Sequence, residues 1–264
     1  MKIAFISDIH GNLPALEAVK KDILQRGVDQ IVNLGDSLSG PLLPRETAQF
    51  LMAEGWYSLA GNHERQILAE DGSPRSASDA YAYEQLTTAE LDWIRSLTHC
   101  HQLTEDILIC HGTPRSDVAD FLETIEGSAM RIARPNEINE RIGGETSPII
   151  VCGHSHVPRM MKRHAGQSNE QLLFNPGSVG LQAYASNEPH YYAIENGSPD
   201  ARYAILEWRN GLWQVDFHAV AYDFESMAQL AQTRGRDDWA RALRTGYMVI
   251  LFEGIIQRLN FSFI

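Results

Sequence analysis

The chain has 264 residues, 44% hydrophobic and 21% charged, enough to bury a large core, which excludes a disordered or fibrous chain. A formal net charge of −12 argues against binding nucleic acid through a basic face, and three cysteines are too few for a disulfide scaffold. No run approaches the ~18 apolar residues of a membrane span, and Asp8 and His10 interrupt the short apolar stretch at the N-terminus before it could form a signal peptide. With its cysteines read as reduced thiols, the chain is expected in the cytoplasm, away from membranes.

Lys2–Ser7 is short, apolar and ended by polar residues, and reads as a buried strand. Asn12 is a good N-cap and Pro14 lies in the first turn of the following helix. Leu13, Leu16, Val19, Ile23 and Leu24 recur at helical spacing as far as Arg26, and Gly27 stops the helix. Gln30–Leu34 is a second buried strand, ended by Gly35-Asp36, so the chain opens as an α/β sheet does. Arg45–Ala53 reads as helix and Trp56–Leu59 as a strand ending at Gly61-Asn62-His63. Residues 64–97 read as mainly helical around a turn at Asp71–Pro74. Asp106–Cys110 and Pro148–Cys152 are strands, with helix and loop at 117–142 between them. Strands then dominate, at Arg159–Arg163, Gln171–Phe174, His190–Ile194, Ala201–Trp208 and Leu212–Ala219, and two or three helices follow Asp223. One domain over 1–264 is expected, its stretch 237–264 a C-terminal helical extension. The apolar tail Met248–Ile264 reads as a terminal helix packed on the core, with a homodimer contact as the alternative.

Five of these strands end in a polar cluster: Asp8-Ile9-His10, Gly35-Asp36, Gly61-Asn62-His63-Glu64, His111-Gly112 and Gly153-His154-Ser155-His156. Any one alone is a common turn. Ligands of open α/β sheets bind outside the carboxyl ends of strands, so five such ends in one sheet can converge on one edge. Asp8, His10, Asp36, Asn62, His111, His154 and His156 together offer two carboxylates, four imidazoles and an amide oxygen. That donor set suits manganese, iron or zinc, and suits neither a thiolate site nor a calcium cage. One carboxylate can bridge two ions, and Asp36 is the natural candidate. Two divalent ions would outweigh two aspartates and a hydroxide, leaving about +1 to attract an anion. His99 and His101 flank Cys100 without an aspartate nearby and read as a surface or half-buried strand. Cys110 and Cys152 read as small buried residues filling the sheet rather than as redox groups.

This run of motifs resembles the calcineurin-like metallophosphoesterase superfamily, whose pattern is D-x-H, G-D, G-N-H-[DE], a later H, and G-H-x-H. The spacing and the trailing Asn175-Pro176-Gly177-Ser178-Val179-Gly180 resemble its compact prokaryotic branch of phosphodiesterases and diadenosine tetraphosphatases, over roughly residues 1–220. The resemblance implies a four-layer α/β/β/α sandwich of two mixed sheets with the metal site at the strand C-terminal edge. It implies that Asp8, His10 and His156 hold one ion and Asn62, His111 and His154 the other, with Asp36 bridging. It implies that His63 is a catalytic non-ligand facing the phosphoryl group or the leaving oxygen. The loop after Asp36 departs from the branch: in place of a Gly-Tyr-Gly-Pro type, this chain has Ser37-Leu38-Ser39-Gly40-Pro41-Leu42-Leu43-Pro44, which bears on substrate preference.

The expected function is metal-dependent hydrolysis of a phosphoester by a hydroxide bridging two divalent ions. The expected substrate is a small anion, a nucleotide or a dinucleoside polyphosphate. His63 would protonate or stabilise the leaving oxygen. Gly11 and Asn12, at the first helix N-terminus, and Arg115 are candidates for phosphate contacts. Alternatives are a phosphoprotein phosphatase or nuclease, the latter disfavoured by the net charge, and a non-catalytic scaffold of the same fold.

Overall fold

A computed structural model of the chain describes residues 1–70, 74–187, 190–248, 250–252 and 255–257. The first part runs β1 (Lys2–Ile6), α1 (Leu13–Arg26), β2 (Gln30–Asn33), α2 (Pro44–Glu54), β3 (Tyr57–Ser58), α3 (Asn62–Ile67), α4 (Ala77–Gln85) and α5 (Thr88–Arg95). The middle runs β4 (Cys100–Gln102), β5 (Ile107–Cys110), β6 (Glu123–Glu126), β7 (Ala129–Ile132), α6 (Pro135–Ile142), β8 (Ile149–Val151), β9 (Arg159–Arg163) and β10 (Gln171–Asn175). Then follow β11 (Ala183–Ser186), β12 (Tyr192–Glu195), β13 (Ala201–Arg209), β14 (Leu212–Val220), α7 (Phe224–Thr233) and α8 (Asp237–Thr245), with β15 (Ile250–Phe252) and β16 (Ile255–Gln257) beyond.

Two mixed five-stranded sheets carry the fold, in the orders β14-β13-β1-β2-β3 and β4-β5-β8-β10-β9. In the first sheet the parallel strands β1-β2-β3 end at the edge strand β3, with antiparallel β13 and β14 on the other side; in the second, parallel β5-β8-β10 lie between antiparallel β4 and β9. Side chains alternate across each strand, and both faces of β1, β2, β5, β8 and β10 are buried, which is why the sequence shows continuous apolar runs there. Ile3 and Phe5 of β1 face the second sheet and join Ile107, Ile109, Val151 and Phe174 in the central core. Phe5 meets Phe174 edge-on, 5.5 Å between ring centroids. Ala4 and Ile6 face the opposite way, onto Leu16, Val19 and Ile23 of α1. On the far side of the second sheet, Leu108, Ile150 and Leu173 pack with Ile138 and Ile142 of α6. The result is the α/β/β/α sandwich expected from the sequence.

Two expectations change. The stretch 117–142 contains the hairpin β6–β7 before its helix. A Gly127-Ser128 turn with Gly127 at φ 64° closes this hairpin, and its partly exposed strands lack a continuous apolar run. Among the described residues of the extension over 237–264, helix is confined to Asp237–Thr245. Gly246 caps that helix at φ 69°, and β15 and β16 then pair antiparallel, in keeping with their isoleucine-rich sequence. The rest of the tail, and with it the alternative of a dimer contact, lies outside the described residues, as do residues 71–73 of the expected turn at Asp71–Pro74. Strand β4 contains Cys100 and His101 at a partly exposed edge, and Cys110 and Cys152 are buried in the core facing α6.

Candidate metal centre

The ends of β1, β2, β5 and β8 are stitched together before any side chain is considered. The amides of Asp8 and His10 donate to the Gly35 and Asp36 carbonyls, both at 3.0 Å, and the Gly153 amide donates to the His111 carbonyl at 2.7 Å. His111 joins the two sheets, its Nδ1 donating to the Leu34 carbonyl at 2.8 Å. Asp8, His10, Asp36, His154 and His156 all hold left-handed backbone conformations, with φ between 52° and 69°. Residues with a Cβ adopt this region at a cost of about 1 kcal/mol or more each, and it persists where surrounding hydrogen bonds over-determine it.

Two clusters result. Asp8, His10 and His156 form one; Asp36, His111 and His154 form the other; the donor atoms within each lie within 4.8 Å of one another. In the first, His10 Nδ1 donates to the Ser39 carbonyl and His156 Nδ1 to the Leu181 carbonyl, each at 2.8 Å. Carbonyls only accept, so both rings turn an Nε2 lone pair inward, and the two Nε2 atoms face each other at 3.1 Å. His156 Nε2 is also 3.4 Å from Asp8 Oδ1, and both Asp8 oxygens are buried without a hydrogen bond. In the second, His111 Nε2 is 3.1 Å from Asp36 Oδ2 and 3.2 Å from Asn62 Oδ1. Acceptors gathered this closely need a cation among them, and the mixed nitrogen and oxygen donors fit a divalent transition metal.

The charges agree. Burial pushes the Asp8 carboxyl up to about 7, opposed by His111 and reinforced by Asp36. Burial alone would lower His111, but the Asp36 carboxylate beside it outweighs burial and drives the ring up to about 10. Burial lowers His10 and His154 to about 4, keeping both neutral and available as ligands.

Behind the ligands stand two carboxylates. Glu64 is fully buried and accepts from the amides of Asp36 (2.9 Å), Ser37 (2.8 Å) and Gly61 (2.7 Å), pinning the loop after β2 to the start of α3. The approach is so close that a Cβ on Gly61 would lie 2.1 Å from Asp36 Oδ1. Asp79, in the first turn of α4, takes His63 Nδ1 at 2.8 Å. The Glu64 role was not read from its motif, and Asp79 was missed, although Ser76-x-x-Asp79 is a helix-start signature.

A cleft of about 950 Å³ opens over the clusters, lined by His10, Asp36, Asn62, His63, His154 and His156. Asp8 and His111 lie beneath it, fully buried. Gly11, Asn12 and Arg115 are outside its lining. The Gly11 amide donates to the Ser37 carbonyl, Asn12 donates to the Gly180 carbonyl and the Tyr222 hydroxyl, and Arg115 donates to the Gly143 carbonyl.

Paired clusters of this composition, set at the edge of a two-sheet sandwich, define a dinuclear metal-dependent hydrolase. The chain belongs to the calcineurin-like phosphoesterase superfamily, whose domain matches residues 1–197. It is 29% identical to phosphodiesterase YfcE of Escherichia coli (strain K12) over 199 residues, 74% of this chain and 88% of that one. A metallophosphoesterase from Sphaerobacter thermophilus superposes with a TM-score of 0.72 at 26% identity, covering 94% of this chain and all of that one. The hypothetical protein PH1004 from Pyrococcus horikoshii OT3 gives 0.69 at 16% identity over 93% of this chain and 98% of its own, a likeness of fold alone. Among the described residues, no helix is long and apolar enough to cross a membrane.

Proposed function

We propose that the chain hydrolyses a phosphodiester of a small molecule, nucleotide or dinucleoside polyphosphate in the cleft over the two clusters. The observation that carries this reading is the pair of buried acceptor clusters under one cleft, with His63 beside them. Asp8, His10 and His156 would hold one ion and Asn62, His111 and His154 the other, with Asp36 available to both. A divalent ion such as manganese, iron or zinc held there would supply charge to offset the phosphoryl oxygens and to lower the pKa of a water. His63 is anchored through Nδ1 by Asp79, leaving Nε2 to donate a proton to the leaving oxygen. The diester preference is supported by the relationship to phosphodiesterase YfcE. The net charge of −12 favours a small anionic substrate over a nucleic acid, and free Cys100, Cys110 and Cys152 suit a reducing, cytoplasmic setting.

The test is turnover of bis(p-nitrophenyl) phosphate with added Mn²⁺. Wild type is expected to turn over, and Asp36→Asn to fall to the uncatalysed background with a reduced metal-to-protein ratio. Full activity in the variant would sink the assignment of Asp36 as the shared ligand.

A further inference from the structure

Helices α7 and α8 lie beyond the superfamily match, which ends at residue 197, yet α8 forms part of the cleft wall. The Trp239 indole stands edge-on to His10, with ring centroids 5.9 Å apart and planes at 76°. The Arg236 guanidinium lies 5.6 Å from the centre of the same indole. It is fixed there by Asp238, at 2.9 and 2.7 Å, and by the Ser78 hydroxyl at 2.9 Å. Tyr184 lines the cleft beside the other histidine of the first cluster, edge-on to His156 at 4.7 Å, with Tyr192 a further 6.5 Å away. Each imidazole of that cluster therefore has an aromatic ring next to it.

The arrangement is locked into the unusual loop after Asp36. Gly40 has φ 153°, and a Cβ on it would lie 2.6 Å from the Trp239 ring and 2.7 Å from the His10 carbonyl. Arg234 donates to the Pro41 carbonyl at 2.8 Å and to that of Leu42, and Leu42 is buried with Met227, Ala228 and Trp239. Loop and helix pair thus form one rigid unit. Because Asp238 neutralises Arg236, the guanidinium is poorly suited to clamping a phosphate; it contributes a flat, delocalised face. Trp239 lines the cleft with 8% of its surface exposed, and Tyr184 is half-buried on the opposite imidazole, so both rings meet a planar ring through edge contacts.

Building on the phosphodiesterase reading, we infer that this shelf selects diesters whose retained organic group is a planar aromatic ring, with Trp239 as the specificity-determining residue. The ring belongs to a nucleobase or to a simple aryl group, and the two are separated by measurement. The probes are p-nitrophenyl esters of thymidine 5′-phosphate, phenyl phosphate and methyl phosphate, which share one leaving group, assayed on the Mn²⁺-loaded enzyme. Wild type is expected to show a KM about ten-fold lower for an aromatic ester than for the methyl ester. The order of the thymidine and phenyl esters identifies the source of the ring. Trp239→Leu keeps apolar bulk but removes the aromatic ring, and is expected to shrink the preference to within about two-fold through KM, whereas Trp239→Phe keeps most of it. If Trp239→Leu unfolds α8, Tyr184→Leu carries the same test from β11. Binding of thymidine 5′-phosphate, phenyl phosphate and methyl phosphate, followed by calorimetry, gives a readout independent of turnover. No aromatic preference in wild-type binding, or a preference that survives loss of these rings, overturns the shelf. Aromatic preference in binding with no ester hydrolysed overturns the phosphodiesterase reading and leaves the shelf standing.

Discussion

Burial on its own would strip the proton from His63, but the Asp36 and Asp79 carboxylates outweigh it and hold the ring up to about 9. Bound metal would take up the Asp36 contribution, whereas buried Asp79 keeps its hold on Nδ1 and favours the protonated ring that can donate to a leaving oxygen. Asp79→Asn keeps the shape and removes the charge. Its kcat is expected to fall about ten- to a hundred-fold with metal content unchanged. The fall should be larger for a diester releasing phenol than for one releasing p-nitrophenol, because the poorer leaving group needs the proton more. Equal losses for the two esters would show that His63 does not supply it. The ligands were legible in the sequence because each sits one to five residues beyond a strand. Asp79 was not: it lies 16 residues from His63, on a different helix, and only the fold brings them together.

At the scale of elements, caps and two-sided burial decided what could be read. β1, α1 and β2 were legible because strands buried on both faces are continuously apolar, and because Asn12 and Gly27 punctuate the helix between them. The hairpin β6–β7 and strand β11 were not, since each is short and only partly buried. Helix α5 shows what a cap contributes. Glu90 accepts from the Thr87 amide at 2.8 Å and from its hydroxyl, and from Gln49 of α2 at 3.0 Å, so one carboxylate starts one helix and ties it to another. Burial opposes the charge, but these hydrogen bonds prevail and hold Glu90 down to about 2. The folded-state value lies below the unfolded one, so the stabilisation is complete above about 4.5 and is lost as pH falls toward about 2. Glu90→Gln is expected to cost about 1 kcal/mol at neutral pH. In thermal melts its deficit against wild type should narrow between pH 5 and pH 2, and a constant gap would contradict this.

Across the whole molecule, the metal centre and the fold are one thermodynamic system. The ligands come from residues 8 to 156 and join both sheets, so an ion that binds only the native arrangement stabilises all of it. Removing metal with a chelator is expected to lower Tm, and restoring Mn²⁺ to about a hundred times its Kd should return about 2.7 kcal/mol per site. Burial pushes the Asp8 carboxyl up to about 7, and it must be ionised to serve as a ligand, so protons compete with metal as pH falls. The metal-induced rise in Tm should accordingly be larger at pH 8 than at pH 6, and calorimetry should register protons released on binding. An equal rise at both values would show that Asp8 does not titrate with metal uptake. The convergence of strand ends was visible in the sequence as a repeated polar punctuation; the carboxylates that brace it were not, because bracing depends on contacts between segments.

The left-handed backbone at Asp8, His10, Asp36, His154 and His156 has an evolutionary corollary. A glycine at any of these positions would relax the local conformation and erase a ligand in the same substitution. The mutation that most eases the chain is thus the one that disables it. Selection for sturdiness alone would drift toward an inert sandwich, and only selection on the chemistry can keep five residues in the conformation they resist.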